Sequence, residues 1–406
     1  MPYDPETTTV KLMIGAGTPS DAPEDLLLAL DSIEVVQGTA CPAGFRLSFA
    51  ADRYPPDPGP VPEYPLLDTG LLDPFNRVQV LMQPEGETAT VLIDGFITYL
   101  EVAVDKDGKT LVSVLGEDVS LKMDLVEVSA EYPNLTDSAI VSQILGKYGG
   151  VGIAPQVTAP SGESAPQDYV PQQNASDRFH VQALAARYGF QFYVQPGSSA
   201  GTNTAYWGPP VATGTPQKAL TTNMGPANNV SSLSLRYEAL APTAAYGQVL
   251  DLTQQPAAAV PVGLGSWSPA DGLEATVALA SAASGLAADP SGYSSDLATL
   301  AVRGSLLLHP GMTSAEATSL GQGKVNRSVQ EAVVVEGELD TADYGEVLVA
   351  PGLVDLRGVG TRFDGTYLVK QVRHLLSFTE DQLSYKQKFV LTRGGVGSTI
   401  TTVETE

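Results

Sequence analysis

The chain has 406 residues, with 46 acidic and 22 basic side chains and a formal net charge of -24. This excess of negative charge argues against nucleic acid as the main partner, because it repels a phosphate backbone. The length allows roughly two to four domains. The 40 glycines and 30 prolines predict many turns and therefore many strands.

The single cysteine, Cys41, excludes an intramolecular disulfide and any metal site built on paired cysteines. We expect Cys41 to be buried as a small hydrophobic residue. The N-terminal residues lack the basic and apolar regions of a secretory signal, and no long apolar run predicts a membrane-spanning helix. These features predict a protein that is made and folds in a bacterial-type cytoplasm.

Residues 1–125 read as strands, because apolar and polar residues alternate between turn signals. The proline-rich segment 53–65 is predicted to be a loop at a sheet edge, since proline cannot donate to a strand ladder. Asp107-Gly108 lies between two alternating runs and predicts the turn of a β-hairpin.

Two helices are predicted within residues 126–235. Thr136 is the expected N-cap of the first helix, and Gly149 is expected to end it. Ser176 is the expected N-cap of the second, and Gly189 supplies a left-handed exit. A strand follows, so this part of the chain is predicted to form a compact α/β insert.

The remaining chain is predicted to return to strands. Residues 195–225 read as a loop, and residues 254–300 are ambiguous between a loose helix and a loop. A helix is predicted to begin at Ser314, although the glycines in its "GQG" weaken the helical propensity. Strands then run to about residue 395, and residues 396–406 are expected to be a mobile tail.

No group of residues predicts a catalytic, cofactor or metal site. His180, His309 and His374 are far apart and lack the spacing of metal-binding histidine pairs, so each is expected to be structural. Trp207 and Trp267 are the only tryptophans, and both are predicted to lie in loops. This scarcity disfavours an aromatic carbohydrate platform.

Three segments each combine glycine, acidic and aromatic residues in a recognisable pattern. They are "IDGFITYLEVAVDKDGKTLVSVLGED", "YVPQQNASDRFHVQALAARYGFQFYV" and "APGLVDLRGVGTRFDGTYLVKQVRHLLS". The residues that carry the patterns are Asp94, Gly95 and Asp118; Ser176, Asp177, Leu184, Tyr188 and Gly189; and Pro351, Gly352, Phe363, Gly365, Tyr367 and His374.

In this order, the three segments resemble the family of phage late-control protein D and VgrG-like tail baseplate hubs. The resemblance covers the hub part without the spike domain. It implies an α+β, mainly β fold, with two related tail-tube-like β-barrel domains and an α/β insert. It implies structural roles for the pattern residues, with no catalytic, cofactor-binding or metal-binding residue.

The resemblance and the strand pattern together predict five segments. These are a first tube-like β-barrel domain (1–125), the α/β insert (126–235), a strand and Ala/Pro/Gly-rich connection that completes the barrels (236–312), a second tube-like β-barrel domain (313–395), and the tail (396–406).

The resemblance also implies a structural function without catalysis. Members form a homotrimer that adapts a hexameric inner tube to a trimeric spike, with baseplate wedge components as further partners and possible cargo in the lumen. We expect assembly in the bacterial cytoplasm, in a contractile phage tail or a phage-tail-like injection particle, without stable membrane insertion. The acidic excess would then line the lumen.

The alternatives to this structural function are a tail-associated cell-wall hydrolase, an all-β glycosidase or a carbohydrate-binding protein.

Overall fold

The computed structural model describes residues 8–51, 64–84, 86–104, 106, 109–160, 163–166, 169–198, 201–210, 214–238, 240–241, 243–249, 258–262, 303–307, 314–378 and 383–395. Several sequence-based predictions lie outside these residues. They are the Asp107-Gly108 turn, most of the proline-rich segment, most of 254–300, His309, Trp267 and the tail 396–406.

Strands are the main secondary-structure element of the described chain. The strands are β1 (Thr8–Gly15), β2 (Ser20–Asp21), β3 (Leu30–Gly38), β4 (Gly44–Ala50), β5 (Arg77–Pro84), β6 (Thr90–Val104), β7 (Thr110–Asp118), β8 (Glu127–Glu131), β9 (Ile153–Val157), β10 (Gln172–Ser176), β11 (Gln191–Pro196), β12 (Asn203–Gly208), β13 (Gln217–Thr221), β14 (Ser232–Tyr237), β15 (Thr243–Val249), β16 (Ala258–Val262), β17 (Arg303–Leu307), β18 (Val333–Asp340), β19 (Gly352–Arg357), β20 (Gly365–Phe378) and β21 (Leu383–Arg393). The helices are α1 (Glu24–Ala29), α2 (Pro65–Asp68), α3 (Asp137–Gly146), α4 (Asp177–Tyr188), α5 (Ser314–Gln330) and α6 (Thr341–Tyr344).

One large sheet of thirteen strands organises the molecule. Its strand order is β14-β18-β21-β20-β3-β4-β7-β6-β5-β1-β2, and β19 branches from β20 to carry β13. Three small sheets accompany it: β8 with β10, β9 with β11 and β12, and β15 with β16 and β17. This architecture confirms the predicted α+β, mainly β fold class.

The large sheet contains the same arrangement twice. The first unit consists of β3, β4, α2, β5, β6 and β7, and the second of β14, β18, α6, β19, β20 and β21. In both units, the first strand pairs with the second, the second with the last, the last with the long fourth strand, and the fourth with the third. The chain therefore carries the two related β units that the resemblance implied.

An antiparallel pairing of β3 with β20 joins the two units edge to edge. Residues 371–377 of β20 pair with residues 32–38 of β3. On the outer face of this junction, Arg373 Nη2 lies 2.6 Å from Glu34 Oε1. The sheet thus runs without a break from one unit into the other.

Three hydrophobic clusters form the cores. The first lies in the first unit around Phe49 but also takes in Leu376 and Tyr385 of the second unit, so it crosses the β3–β20 junction. The second fills the insert around Trp207, and the third fills the second unit around Phe389. Burial of this apolar surface is the main driving force for folding.

The capped helices of the insert are confirmed. Thr136 Oγ1 accepts a hydrogen bond from the first turn of α3, and Ser176 Oγ accepts one from the first turn of α4. Gly189 ends α4 with a φ of 65°, as the left-handed exit requires. The prediction for Gly149 is wrong: α3 ends at Gly146, and a short 3-10 turn leads to Gly152, which has a φ of 89°.

Other local predictions are also corrected by the structure. Residues 195–225 contain β12 and β13 rather than a continuous loop, because β12 pairs with strands on both sides despite its polar sequence. Cys41 is exposed, since it lies in the connection between β3 and β4. The first 125 residues contain the short helices α1 and α2 as well as strands.

The placement of β13 and β14 bears on the predicted segments. Both strands fall largely within residues 126–235, yet β13 pairs with β19 and β14 pairs with β18 in the large sheet. The remaining segment boundaries stay predictions. Helix α5 begins at Ser314 as predicted and continues through its glycines.

Candidate functional site

The first group of pattern residues connects the first unit to the insert. Asp94, which is 2% exposed, accepts hydrogen bonds from Arg77 Nε at 2.6 Å and Nη2 at 2.7 Å. It also accepts one from Asn203 Nδ2 of β12 at 2.9 Å, while Arg77 Nη2 donates to the Val151 carbonyl. A buried ion pair with all these partners fixes the insert on the sheet.

Asp118 and Gly95 have local structural roles. The Asp118 carboxylate accepts the backbone N–H groups of Ala43 at 2.7 Å and Ser120 at 2.8 Å, and so caps the 3-10 turn that follows β7. Burial raises the pKa of Asp118 above its ordinary value, although these hydrogen bonds act against the rise. At Gly95, a Cβ atom would overlap the Glu117 carbonyl oxygen of β7.

The second group begins with Asp177 in the first turn of α4. Asp177 is 2% exposed and accepts hydrogen bonds from Tyr148 Oη at 2.8 Å, Lys147 Nζ at 3.1 Å and Gln173 Nε2 at 2.7 Å. Burial and the hydrogen bond to Asp177 raise the pKa of Tyr148. Asp177 therefore holds the C-terminal end of α3 against the N-terminal end of α4.

A second carboxylate makes the reciprocal contact. Asp137, in the first turn of α3, accepts hydrogen bonds from Tyr188 Oη and Arg187 Nη1 at the end of α4, both at 2.7 Å. Burial, followed by the nearby Asp137 charge, raises the pKa of Tyr188. Each helix thus carries an acidic first turn that binds a basic residue and a tyrosine at or just after the end of the other helix.

Ser176 and Leu184 complete the second group as packing and capping residues. Ser176 Oγ donates to Asp124 Oδ1, and this hydrogen bond lowers the pKa of Asp124. Arg178 bridges Glu117 and Asp124. Leu184 is buried in the insert core.

Gly189 lies where α4 meets α5. A Cβ atom at Gly189 would overlap the backbone of Gly323, and a Cβ atom at Gly323 would overlap the Tyr188 carbonyl group. The glycine that weakens the intrinsic propensity of α5 is therefore the residue that lets the two helices approach.

The third group stabilises the second unit. Tyr367 is fully buried, and its Oη donates to the Phe363 carbonyl at 2.6 Å. Gly365, with a φ of 154°, leaves space that the Arg393 guanidinium occupies. Pro351 follows a cis peptide bond, and Gly352 begins β19.

His374 is buried at the junction of the two units. Its Nδ1 lies 2.8 Å from Tyr385 Oη, and its Nε2 lies 3.4 Å from Gln37 Oε1 of β3. Burial lowers the pKa of His374 from 6.5 to about 3, so the imidazole is neutral.

His180 is half-buried in the insert with its ring stacked on Tyr132, and burial lowers the pKa of His180 as well.

A cavity of about 350 Å³ brings parts of the first and third groups together. Asp94, Asp118 and Pro351 line it, with Asn203 and the strand residues 193–196 of the insert. Both carboxylates already hold structural partners, and the Asn203 Oδ1 atom is buried without a hydrogen-bond partner. The cavity offers a polar wall, but these residues do not form a nucleophile and base pair.

The described residues also bear on metal sites and membrane spans. No three His, Cys, Asp or Glu side chains in the described ranges are arranged to hold a metal ion. Within the same ranges, none of the helices has the length and apolarity needed to cross a membrane.

Within the two duplicated units, two strand edges carry no partner strand among the described residues. One is the outer edge of β14, which is a terminal strand of the large sheet. The other is formed by residues 98–104 of β6, of which residues 99–104 pair with β7 and none pairs with β5. An open edge presents unpaired N–H and C=O groups and is a template for another strand.

Both edges are amphipathic. In β14, Leu233 and Leu235 pack against the core of the second unit, whereas Arg236 is exposed. In β6, Leu100 and Val102 pack against the core of the first unit. Each edge could therefore extend the sheet while continuing its apolar inner face.

No family model and no curated protein matches the sequence. Solved structures do match the fold. A tail protein from Neisseria meningitidis has a TM-score of 0.60 at 11% identity, over 96% of this chain and 98% of its own. A 43 kDa tail protein of the prophage MuSo2 from Shewanella oneidensis has a TM-score of 0.59 at 14% identity, over 95% and 98%.

The chain has the fold of phage tail proteins. The likeness extends to an Escherichia coli component of the type VI secretion system, with a TM-score of 0.53 at 13% identity over 94% of this chain and 76% of that one. That protein is itself described as similar in structure to T4 bacteriophage tail proteins. The tail-protein fold confirms the structural side of the resemblance found in the sequence.

Sequence reasoning found the pattern residues but not their partners. The structure separates them into three stabilising groups, of which only Asp94, Asp118 and Pro351 line one cavity. It also adds Arg77, whose ion pair with Asp94 had no signal in the sequence beyond an arginine at the start of a strand.

Proposed function

We propose that the chain is the structural baseplate hub of a contractile phage tail or a phage-tail-like injection particle. It acts as a homotrimer that joins a hexameric inner tube to a trimeric spike. The observation that carries the proposal is the internal duplication: two units of the same topology in one chain, joined edge to edge. Three chains then present six similar units to the tube and three identical chains to the spike.

The chemistry of the described residues supports a role without catalysis. The buried carboxylates Asp94, Asp118, Asp137 and Asp177 all hold hydrogen-bond partners that connect elements of the fold. His374 is neutral and fully buried. These groups stabilise interfaces, which is what a load-transmitting adaptor requires.

The further partners and the location belong to the same proposal. We place the hub in a particle assembled in the bacterial cytoplasm, in contact with baseplate wedge components and with possible cargo in the lumen. The net charge of -24 would keep the ring's surface from binding nucleic acid.

The mass of the particle in solution tests the proposal. Light scattering of the chain alone should give the mass of three copies. When the chain is co-expressed with the tube and spike proteins of its own gene cluster, the mass of the complex should correspond to three copies of this chain together with those partners. A chain that stays monomeric with both partners present contradicts the adaptor role. A turbidity assay on purified cell walls separates the enzyme alternative, because lysis that depends on one carboxylate would replace a structural function with a hydrolytic one.

A further inference from the structure

The β3–β20 junction shows how one unit attaches to the next. The long strand β20 pairs with β19 through its first half and with β3 through its second half, residues 371–377. The equivalent strand of the first unit, β6, pairs with β5 through its first half. Its second half, residues 98–104, is the open edge described above.

The first strands of the two units show the complementary difference. In the first unit, β3 is covered on its outer side by β20. In the second unit, the equivalent strand β14 is a terminal strand of the sheet. These two open edges are thus the two halves of a second junction of the β3–β20 type, located at opposite ends of the duplicated arrangement.

The registers of the two units are the same, so equivalent residues can be assigned. The long strand skips one residue in each unit, residue 98 in β6 and residue 370 in β20. The residue before each skip starts a row of paired residues across four neighbouring strands, and the two rows correspond. The row is Ile97, Gly116, Phe45 and Val35 in the first unit, and Val369, Leu391, Val335 and Leu235 in the second.

This assignment transfers the β3–β20 register to the open edges. Glu101 lies three residues after the skip, as Arg373 does, and Arg236 follows Leu235 as Val36 follows Val35. Arg373 is paired with Val36 in the junction. The corresponding pair is therefore Glu101 with Arg236.

We propose that residues 98–104 of β6 in one copy pair antiparallel with β14 of the next copy, in the register that places Glu101 opposite Arg236. The inference rests on the proposed ring of identical chains and specifies its interface. The occupant of each edge is a second copy of this chain. Within the chain, β20 already pairs with β3. Because β6 is the equivalent of β20 and β14 is the equivalent of β3, the two open edges can pair with each other between copies.

The side chains fit this register on the inner face of the sheet. It places Leu100 opposite Tyr237, Val102 opposite Leu235, and Val104 opposite Leu233. Val104 is 59% exposed in the single chain. Pairing would cover it and continue the apolar inner face from one copy to the next.

The side chains also fit on the outer face. Glu101 and Arg236 have opposite charges, and directly opposed pairs of this kind stabilise an antiparallel ladder. Among the described residues, the ion pair of Arg236 is a long contact of 3.8 Å with Glu336, and both side chains are more than half exposed. The intrachain junction also has a pair of opposite charges, Arg373 with Glu34, which lies diagonally across the two strands and has the charges on the other strands.

The contact is head to tail, because β6 and β14 are different surfaces of the chain. Head-to-tail contacts form a closed ring when the rotation between copies closes. The ring alternates first and second units and contains twice as many units as chains. Three chains give six units related by nearly equivalent junctions, which is how a threefold assembly can match a sixfold tube.

Charge exchange tests the register. Glu101→Arg and Arg236→Glu alone should each raise the concentration at which trimers dissociate by roughly tenfold or more, because like charges would face each other. The double variant should recover most of this loss. Glu127→Arg, an exposed glutamate on the small β8–β10 sheet, is the matched control and should leave the trimer unchanged.

Disulfide cross-linking gives an independent readout. In a Cys41→Ser background, which removes the exposed natural thiol, Ala103→Cys combined with Ser234→Cys should give covalent trimers on a non-reducing gel. Ala103→Cys combined with Ser232→Cys is two residues out of register and should cross-link far less. Both positions on β14 are exposed serines, so the pair of variants is matched.

The outcomes separate this inference from the proposed function. Trimers that form normally but ignore the charge exchange, or that cross-link equally well through Ser232→Cys, overturn the register while the adaptor role stands. Absence of any trimer, with tube and spike proteins present, overturns both. Rescue by the double charge variant together with preferential Ser234→Cys cross-linking supports the inference.

Discussion

Tyr188 Oη donates a 2.7 Å hydrogen bond to Asp137 Oδ2, which fastens the end of α4 to the first turn of α3. Tyr148 and Asp177 make the same contact in the opposite direction. The antiparallel helix pair is thus closed at both ends by a tyrosine and a carboxylate. This reciprocity explains why each helix has an aspartate just after its N-cap and a tyrosine close to its end.

Removal of one tyrosine hydroxyl tests the helix contact. Tyr188→Phe should lower the free energy of unfolding by about 1–3 kcal/mol, because Asp137 loses a hydrogen-bond donor to a charged acceptor. Urea denaturation measures the change. Tyr64→Phe, at a side chain that is 37% exposed, is the control and should have little effect. Equal losses for the two variants would show that the Tyr188 hydroxyl contributes nothing specific.

The α4–α5 crossing predicts opposite outcomes for two glycine substitutions. Gly323→Ala should destabilise the protein by about 1–3 kcal/mol, because the new methyl group meets the Tyr188 carbonyl in a packed contact. Gly146→Ala, at the end of α3, meets no atom within 4 Å and should be neutral or stabilise by up to about 1 kcal/mol. Thermal unfolding of the two variants measures both effects. A stabilising Gly323→Ala would contradict the close approach.

The buried imidazole of His374 predicts a loss of stability in acid. The folded-state pKa of about 3 is below the ordinary 6.5, so the unfolded chain binds a proton more readily. The contribution is therefore complete above pH 6.5 and decreases as the pH falls toward 3. Between pH 7 and pH 5 the loss is about 2 kcal/mol by linkage.

Two measurements check this pH dependence. In NMR titrations the His374 ring signals should not shift between pH 8 and pH 5. The unfolding free energy of His374→Gln should fall less over the same range than that of the unmodified protein. A ring that titrates near pH 6.5 in the folded protein would show that His374 is not held in its buried, neutral state.

The Arg77–Asp94 ion pair predicts a large effect from loss of one partner. Arg77→Met should destabilise by about 3–5 kcal/mol, because it leaves the Asp94 charge buried with a single side-chain donor, Asn203. Hydrogen exchange in β12 should also accelerate, since Asn203 connects that strand to Asp94. The exposed pair Lys11–Asp21 is the control: Lys11→Met should change stability by less than about 1 kcal/mol.

Local interactions allowed some features to be predicted from sequence. The caps at Thr136 and Ser176 and the left-handed Gly189 were predictable, because a cap depends on residues within one turn of the helix. The α+β, mainly β class followed from alternation and turn residues. The structural role expected of His374 followed from its place in an alternating strand.

Features that depend on strand pairing were not predictable. Trp207 was expected in a loop, but β12 is central in its sheet and buries this side chain completely. Cys41 was expected to be buried, but the chain reverses there at the surface. The polar composition of residues 195–225 concealed two strands, because neighbouring strands, and not intrinsic propensity, make them extended.

The sequence by itself determined the fold class, the capped helices of the insert and the residues that resemble tail hub proteins, since all of these rest on local patterns. The tertiary structure alone decided which residues meet. The ion pair of Arg77 with Asp94, the contact of Gly189 with Gly323, and the equivalence that aligns Glu101 with Arg236 each depend on strand register or on helix crossing. Register is fixed by the whole buried face of a sheet, so residues distant in the chain acquire their partners only when the sheet forms.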